Sequence, residues 1–154
     1  MRTETALVEL LKESRDWRTL FKDCCHKSAF RLRSQAYRFK DELATRGYVV
    51  SLEAIQDTLF KLARDLFPES PGVDFTAWAE LLCRDALARL QEHYTVLSEE
   101  EKEAVDLSKA WERNDEIVAA CEAEDLGTLR EALKDYEREV RAAIRVPKKE
   151  SGAA

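Results

Sequence analysis

Glycine and proline are scarce in this chain, with 4 glycines and 3 prolines among 154 residues. β-Sandwiches and barrels place such residues at their many turns, so this composition argues against an all-β fold. The same scarcity argues against a glycine-rich loop that cradles phosphates, and neither Gly-x-x-x-x-Gly-Lys nor Gly-x-Gly-x-x-Gly occurs. A helical protein is therefore expected.

Long apolar runs are also absent. No stretch approaches the roughly 18 residues of a membrane span, and the first residues lack the apolar segment of a secretory signal. The cysteines, which are Cys24, Cys25, Cys83 and Cys121, form no Cys-x-x-Cys pair. A chain of this size needs no disulfide framework to fold. We expect a cytoplasmic protein with no membrane association.

Histidine occurs only twice, at His26 and His93. A cysteine nucleophile beside a histidine base has one local candidate, Cys25 with His26, and adjacent helical residues point about 100° apart. No Gly-x-Ser-x-Gly nucleophile turn is present. The sequence thus predicts a protein that is not an enzyme and that carries no cofactor.

A metal or redox site in a helical bundle is an alternative that the residues leave open. Asp23 and His26 are three positions apart, the spacing of carboxylate–histidine pairs in di-iron bundles, but His93 has no such partner because Leu90 stands three residues before it. A mixed site could draw on Cys24, His26, Cys83 and Cys121. The competing interpretation is that the cysteines fill the core and His26 lies at the surface.

A long first helix is predicted over residues 4–46, which contain neither glycine nor proline. At about 100° per residue its apolar positions stay within one stripe, and a continuous helix here would be roughly 60 Å long. The stripe comprises Leu7, Leu10, Ser14, Phe21, Cys25, Leu32, Ala36, Phe39 and Leu43. Residues 23–28 are poor helix formers, so any kink is expected there.

Four shorter helices are predicted after it. The second begins at the N-cap Ser51 and ends near Phe67, and residues 68–73 should form an exposed loop. The third follows the cap Asp74, with an inward face of Phe75, Trp78, Leu82, Ala86 and Leu90.

The fourth and fifth helices are predicted from two capping boxes, which begin at Ser98 and Thr128. The fourth should carry Trp111 and Val118 inward and kink at Asn114, and Pro147 should end the fifth. Because the join at 125–127 is short, the two should pack as an antiparallel hairpin. The fold class predicted is all-α, a bundle of about five helices in a single domain over residues 1–146, followed by a disordered tail at 147–154.

Charge is distributed unevenly along the chain. Residues 12–40 hold nine basic and three acidic residues, whereas residues 97–140 hold six basic and fifteen acidic ones. One interpretation is that the two segments complement each other within the fold. The other is that the basic segment meets an external polyanion or an acidic partner protein.

A continuous first helix would carry a basic line with two aromatic residues on its flank. The candidate partner-binding residues are Arg15, Arg18, Lys22, Phe30, Arg33, Tyr37 and Lys40. Arginine beside tyrosine is typical of protein interfaces, and the same residues could stack and neutralise single-stranded nucleic acid. A third interpretation is that another helix covers Phe30 and Tyr37 as a second core face.

These patterns predict a non-enzymatic helical interaction module: an adaptor, a regulator or a small assembly subunit. Its expected partner is a protein or a second copy of the chain. An accessory nucleic-acid-binding subunit is the alternative, less favoured because the chain is acidic overall, with a net charge of −6.

Overall fold

Every regular element in the described part of the chain is a helix, as predicted, and no strand occurs there. The structure, a computed structural model, describes residues 2–144 with their side chains, and its last helix is assigned to Ala153. The α-helices are α1 (Thr3–Leu11), α2 (Trp17–Lys27), α3 (Ala29–Thr45), α4 (Leu52–Leu66), α5 (Phe75–Tyr94), α6 (Glu99–Ala104), α7 (Ser108–Glu112), α8 (Asn114–Glu122) and α9 (Leu126–Ala153). A 3₁₀ helix spans Pro71–Val73. The tail predicted at 147–154 lies outside the residues with described side chains.

The chain divides into two compact units, Met1–Trp78 and Ala79–Ala154. Helix α5 begins in the first unit and continues in the second. Its predicted inward face is confirmed, because all five of its members are buried. The single domain over residues 1–146 stays a prediction.

The long N-terminal helix predicted over residues 4–46 is wrong: three helices, α1 to α3, occupy this segment. The second break lies where a kink was expected. Ser28 adopts an extended backbone, and its hydroxyl accepts a hydrogen bond from the Arg31 amide at 3.0 Å, so it caps α3. The prediction missed the first break, at residues 12–16, where α1 closes with i→i−3 hydrogen bonds from Glu13 and Ser14.

Helix α4 agrees with the prediction at both ends. The Ser51 hydroxyl accepts a hydrogen bond from the Ala54 amide at 3.1 Å, and the helix stops at Leu66 with Phe67 as its C-cap. Pro68 explains this end, because proline disfavours the helical conformation in the residue before it, which is Phe67. Helix α4 contacts α1, α3 and the 3₁₀ helix, which places it against the core of the first unit.

The exposed loop predicted at 68–73 is wrong at Ser70 and Gly72, both of which are buried. A Cβ atom on Gly72 would lie 2.5 Å from the backbone oxygen of Cys25, so the two backbones approach as closely as glycine allows. The Trp78 indole Nε1–H donates a hydrogen bond to the Gly72 carbonyl at 2.6 Å. The first contact sets the 3₁₀ turn against α2, and the second joins it to α5.

In the second unit, the predicted fourth helix is divided into α6, α7 and α8, so the predicted number of about five helices is wrong as well. The capping box at Ser98 is confirmed, and one break lies at Arg113, next to the kink predicted at Asn114. The other break was not predicted. There the Asp106 carboxylate accepts a hydrogen bond from the Ser108 amide at 3.0 Å, which restarts the helix.

These breaks change which side of the segment faces inward. Trp111 is 68% exposed and Val118 45%, although both were predicted to be buried, and Ala110 and Ala120 are buried instead. Each interruption rotates the following helix about its axis, so a stripe extrapolated from Ser98 points the wrong way beyond it.

Helices α8 and α9 form the predicted hairpin. A guanidinium nitrogen of Arg113, the N-cap residue of α8, lies 3.5 Å from a carboxylate oxygen of Glu139 in α9. The two helices pack against each other, and three residues connect them. Helix α9 begins earlier than its predicted capping box. Its cap is Asp125, whose carboxylate accepts a hydrogen bond from the Thr128 amide at 3.1 Å.

An ion pair between an exposed arginine and a buried carboxylate joins α5 to α9 in the second unit. Arg89 binds both carboxylate oxygens of Glu137, at 2.6 and 3.1 Å, and Glu137 is buried while Arg89 is half-exposed. Arg89→Met is expected to lower the free energy of unfolding by about 1–3 kcal/mol, because it leaves a buried carboxylate without its cation. Thermal or urea unfolding followed by circular dichroism measures the loss.

The control variant is Lys134→Met. It removes an exposed ion pair, in which the Lys134 Nζ lies 3.6 Å from a Glu131 carboxylate oxygen, and should lower the free energy of unfolding by less than about 0.5 kcal/mol. The double variant Arg89→Met, Glu137→Met should recover most of the loss, because no unpaired buried charge remains. Equal losses for Arg89→Met and Lys134→Met would contradict the interpretation.

Candidate functional site

The seven predicted partner-binding residues do not form one line, because the continuous helix on which that line depended is absent. Arg15 lies in the turn before α2, and Arg18 and Lys22 are exposed on α2. The Arg18 guanidinium lies over the Phe67 ring, 5.7 Å from its centroid. The remaining four residues are all on α3, where Arg33 is half-buried and the others are exposed.

Helix α3 presents three different faces. Its buried face carries Leu32, Ala36 and Phe39. At 100° per residue, Phe30 and Tyr37 project to one side of that face. They are 57% and 61% exposed, so the rest of the described chain does not cover them, contrary to the interpretation that they form a second core face.

The opposite side of α3 forms one wall of a groove that the sequence analysis did not predict. We call it the α2–α3 groove; it has a volume of about 640 Å³ and lies wholly in the first unit. Its lining includes Trp17, Leu20, Cys24, Lys27, Arg31 and Arg38. None of the seven predicted residues lines it.

The floor of the groove is apolar. Phe21 from α2 and Leu32 and Phe39 from α3 are buried beneath it. Leu20 on α2 is 59% exposed, so a leucine side chain that a closed core would cover faces solvent at the rim. Helix α2 has eleven residues, which gives the groove a length of about 16 Å, or three helical turns.

Charges of both signs surround this floor, because its lining includes the cations Lys27, Arg31, Arg38 and Arg46 and the carboxylates Glu13, Asp23 and Glu42. Lys27 and Arg31 form no ion pair within residues 2–144. Arg38 is 3.9 Å from Glu42 in an exposed pair, too weak an attachment to fix it there. At the far end, Arg46 lies 2.5 Å from Glu13, and that carboxylate raises the pKa of the Arg46 guanidinium.

Two neighbouring cysteines behave differently at this site. Cys24 lines the groove and its pKa is raised, because burial outweighs the opposite effect of Lys27, Arg38 and Arg31. Cys25 faces the core, and burial raises the pKa of its thiol to about 12. Cys25 is therefore protonated at neutral pH and is inaccessible as a nucleophile, whereas its neighbour His26 is exposed.

The metal alternative finds no assembled ligand set. Within the part of the chain that the structure describes, no three His, Cys, Asp or Glu side chains come together in a group that could hold a metal ion. Cys24 and His26, two of the ligands considered from the sequence, lie in the first unit, and Cys83 and Cys121 in the second.

The residues that form the groove left a weak signal in the sequence. Arg31 and Arg38 are seven positions apart and therefore share a helix face, as do Trp17 and Cys24. Even in one continuous helical frame, Leu20, Arg31 and Arg38 lie within about 20° of one another. The spacing does not reveal that a groove opens beside them, because that depends on how α2 and α3 pack.

A scan against protein-family models and searches of curated proteins and of solved structures find no match to this chain. Among the helices of the described residues, none combines the length and the apolar character that crossing a membrane requires.

Proposed function

We propose that this protein is a helical interaction module whose α2–α3 groove binds an amphipathic helix of a partner protein. The bound helix would place apolar side chains on Leu20 and the apolar floor, with carboxylates directed at Lys27 and Arg31. The observation that carries the proposal is the combination of an apolar floor with two rim cations that have no carboxylate partner in the described chain.

Grooves between two helices are a common seat for a third helix, which lays its apolar residues at i, i+3, i+4 and i+7 along the floor. Three turns of such a helix match the length of α2. Acidic flanks on the partner give complementary charge, which raises the association rate and fixes the orientation.

The test uses two synthetic helical peptides of 18 residues that share one leucine stripe and differ only in flanking glutamates or lysines. Fluorescence anisotropy measures the dissociation constant of each. The glutamate peptide is expected to bind at least tenfold more tightly than the lysine peptide, and Lys27→Glu with Arg31→Glu should remove that preference. Leu20→Asp should weaken both peptides by about tenfold.

Matched controls separate the groove from other surfaces. Lys40→Glu with Lys61→Glu makes the same change in net charge away from the groove, and Val49→Asp places an aspartate at another exposed apolar position of the first unit. Both should bind like the unmodified protein. If Lys40→Glu with Lys61→Glu abolishes binding, the α3 face of Phe30 and Tyr37 is the docking surface and the groove proposal is wrong.

A single-stranded oligonucleotide tests the alternative. Nucleic-acid binding would fall log-linearly with salt concentration and be lost in Lys27→Glu with Arg31→Glu. That result, with no preference between the two peptides, would overturn the protein-binding proposal. Binding to a second copy of the chain, also predicted from the sequence, would appear as a concentration-dependent mass in sedimentation.

A further inference from the structure

A second cleft, in the second unit, is lined by four cations and one carboxylate. It has a volume of about 450 Å³ and is lined by Arg89 of α5 and by Lys134, Glu137, Arg138, Arg141 and Ala142 of α9. We call it the α5–α9 cleft. The unit that contains it has nineteen acidic and twelve basic residues, so this concentration of positive charge runs against the local average.

The only carboxylate among these lining residues is already engaged. Glu137 is buried and bound by Arg89 through two hydrogen bonds, so its charge is neutralised and the Arg89 guanidinium is held in a fixed plane. The pair thus forms one rigid side of the cleft. The other three cations of the lining, Lys134, Arg138 and Arg141, extend from α9.

Arg141 supplies the observation that points to a ligand. Its Nε atom is buried and has no hydrogen-bond acceptor, and Arg141 takes part in no ion pair of the described residues. A buried guanidinium donor without an acceptor is unfavourable, and such a group commonly marks the place of an ion or a water molecule. An anion in the cleft would satisfy it.

Lys134 and Arg138 can turn toward the same anion. Their present partners on α9 are one helical turn away: Glu131 at 3.6 Å is exposed, and Asp135 at 3.2 Å is partly buried. Both cations are themselves exposed, and surface pairs of this kind contribute little stability, so exchanging them for a ligand costs little. With Arg141, the two residues lie at i, i+4 and i+7 on one helix face.

We propose that the α5–α9 cleft binds a small phosphate-bearing anion with more than one phosphate group. Arginine forks match the oxygens of a phosphate, and three cations beyond the Arg89–Glu137 pair call for more than one negative charge. The site belongs to the second unit and does not depend on the groove in the first.

The test is isothermal titration calorimetry of the full chain with inorganic pyrophosphate, inorganic phosphate and sulfate at low ionic strength. Pyrophosphate is expected to bind at one site per chain, about tenfold or more tightly than either single-centre anion. Affinity should decrease as salt is added, because the surrounding charges are partly exposed.

Two variants locate the site. Arg141→Gln with Lys134→Gln should weaken pyrophosphate binding at least tenfold. Arg138→Gln alters an exposed side chain only, so its expected severalfold loss cannot come from misfolding. The control, Arg84→Gln with Lys109→Gln, removes two positive charges from the same unit outside the cleft and should leave the affinity unchanged.

Three results would overturn the proposal. They are no heat of binding at millimolar pyrophosphate, equal affinity for pyrophosphate and sulfate, and an equal loss in the control and in the cleft variants. The last would mean that the anion responds to net charge alone.

Discussion

Trp78→Ala is expected to lower the free energy of unfolding of the first unit by about 3–5 kcal/mol. The indole is fully buried and packs edge-to-face on Phe60, with ring centroids 5.3 Å apart. Removing it opens a cavity, and it also leaves the buried Gly72 carbonyl without the Nε1–H donor at 2.6 Å. Urea unfolding followed by circular dichroism measures the change.

Two further tryptophan variants separate the contributions. Trp78→Phe retains a ring in the core but not the donor, and we expect it to cost about 1–3 kcal/mol. The same change to alanine at Trp111, which is 68% exposed, should cost less than about 0.5 kcal/mol. Comparable losses at positions 78 and 111 would show that the first unit does not depend on this packing.

Gly72→Ala is expected to destabilise the first unit by about 3 kcal/mol. The added Cβ would lie 2.5 Å from the Cys25 carbonyl oxygen and 3.0 Å from the Cys25 Cα. Both are backbone atoms, so the clash cannot be relieved by rotating a side chain. Either the 3₁₀ turn or α2 has to move, which disturbs the hydrogen bond from Trp78. Urea unfolding followed by circular dichroism measures the loss.

Gly127→Ala is the matched control. Its new Cβ would meet only the Asp125 carboxylate at 3.6 Å, an ordinary contact, and the residue is inside α9. Alanine forms helix more readily than glycine, so this variant should be neutral or more stable by up to about 1 kcal/mol. If both glycine variants are equally tolerated, the close approach of Gly72 to Cys25 is not part of the folded state.

Much of the helical content could be predicted because its signals are local. Ser51, Ser98 and Asp74 each cap a helix where the sequence indicated one, and their side chains bond to amides only two or three residues away. The buried face of α5 followed from spacing alone. The errors occur at the helix breaks. At residues 105–107 the Asp106 carboxylate accepts a hydrogen bond from the Ser108 amide in competition with the helix, and at residues 12–16 backbone i→i−3 hydrogen bonds close α1.

The candidate site could not be predicted because it depends on the orientation of α2 and α3. Phe30 and Tyr37 were selected as neighbours of a basic line, and they are exposed. The groove instead uses Leu20 and Arg31, which lie on different helices. Spacing along a chain relates residues within one helix and gives no position for a residue on the next.

The sequence by itself determined the helical class, most of the caps and the positions with enough apolar character to be buried, since each follows from contacts within a few residues. Only the tertiary structure decided where the helices break in space, that a 3₁₀ turn passes against Cys25, and which cations surround a groove or a cleft. Those features join residues that are distant along the chain, and their geometry is settled only when the packed faces meet.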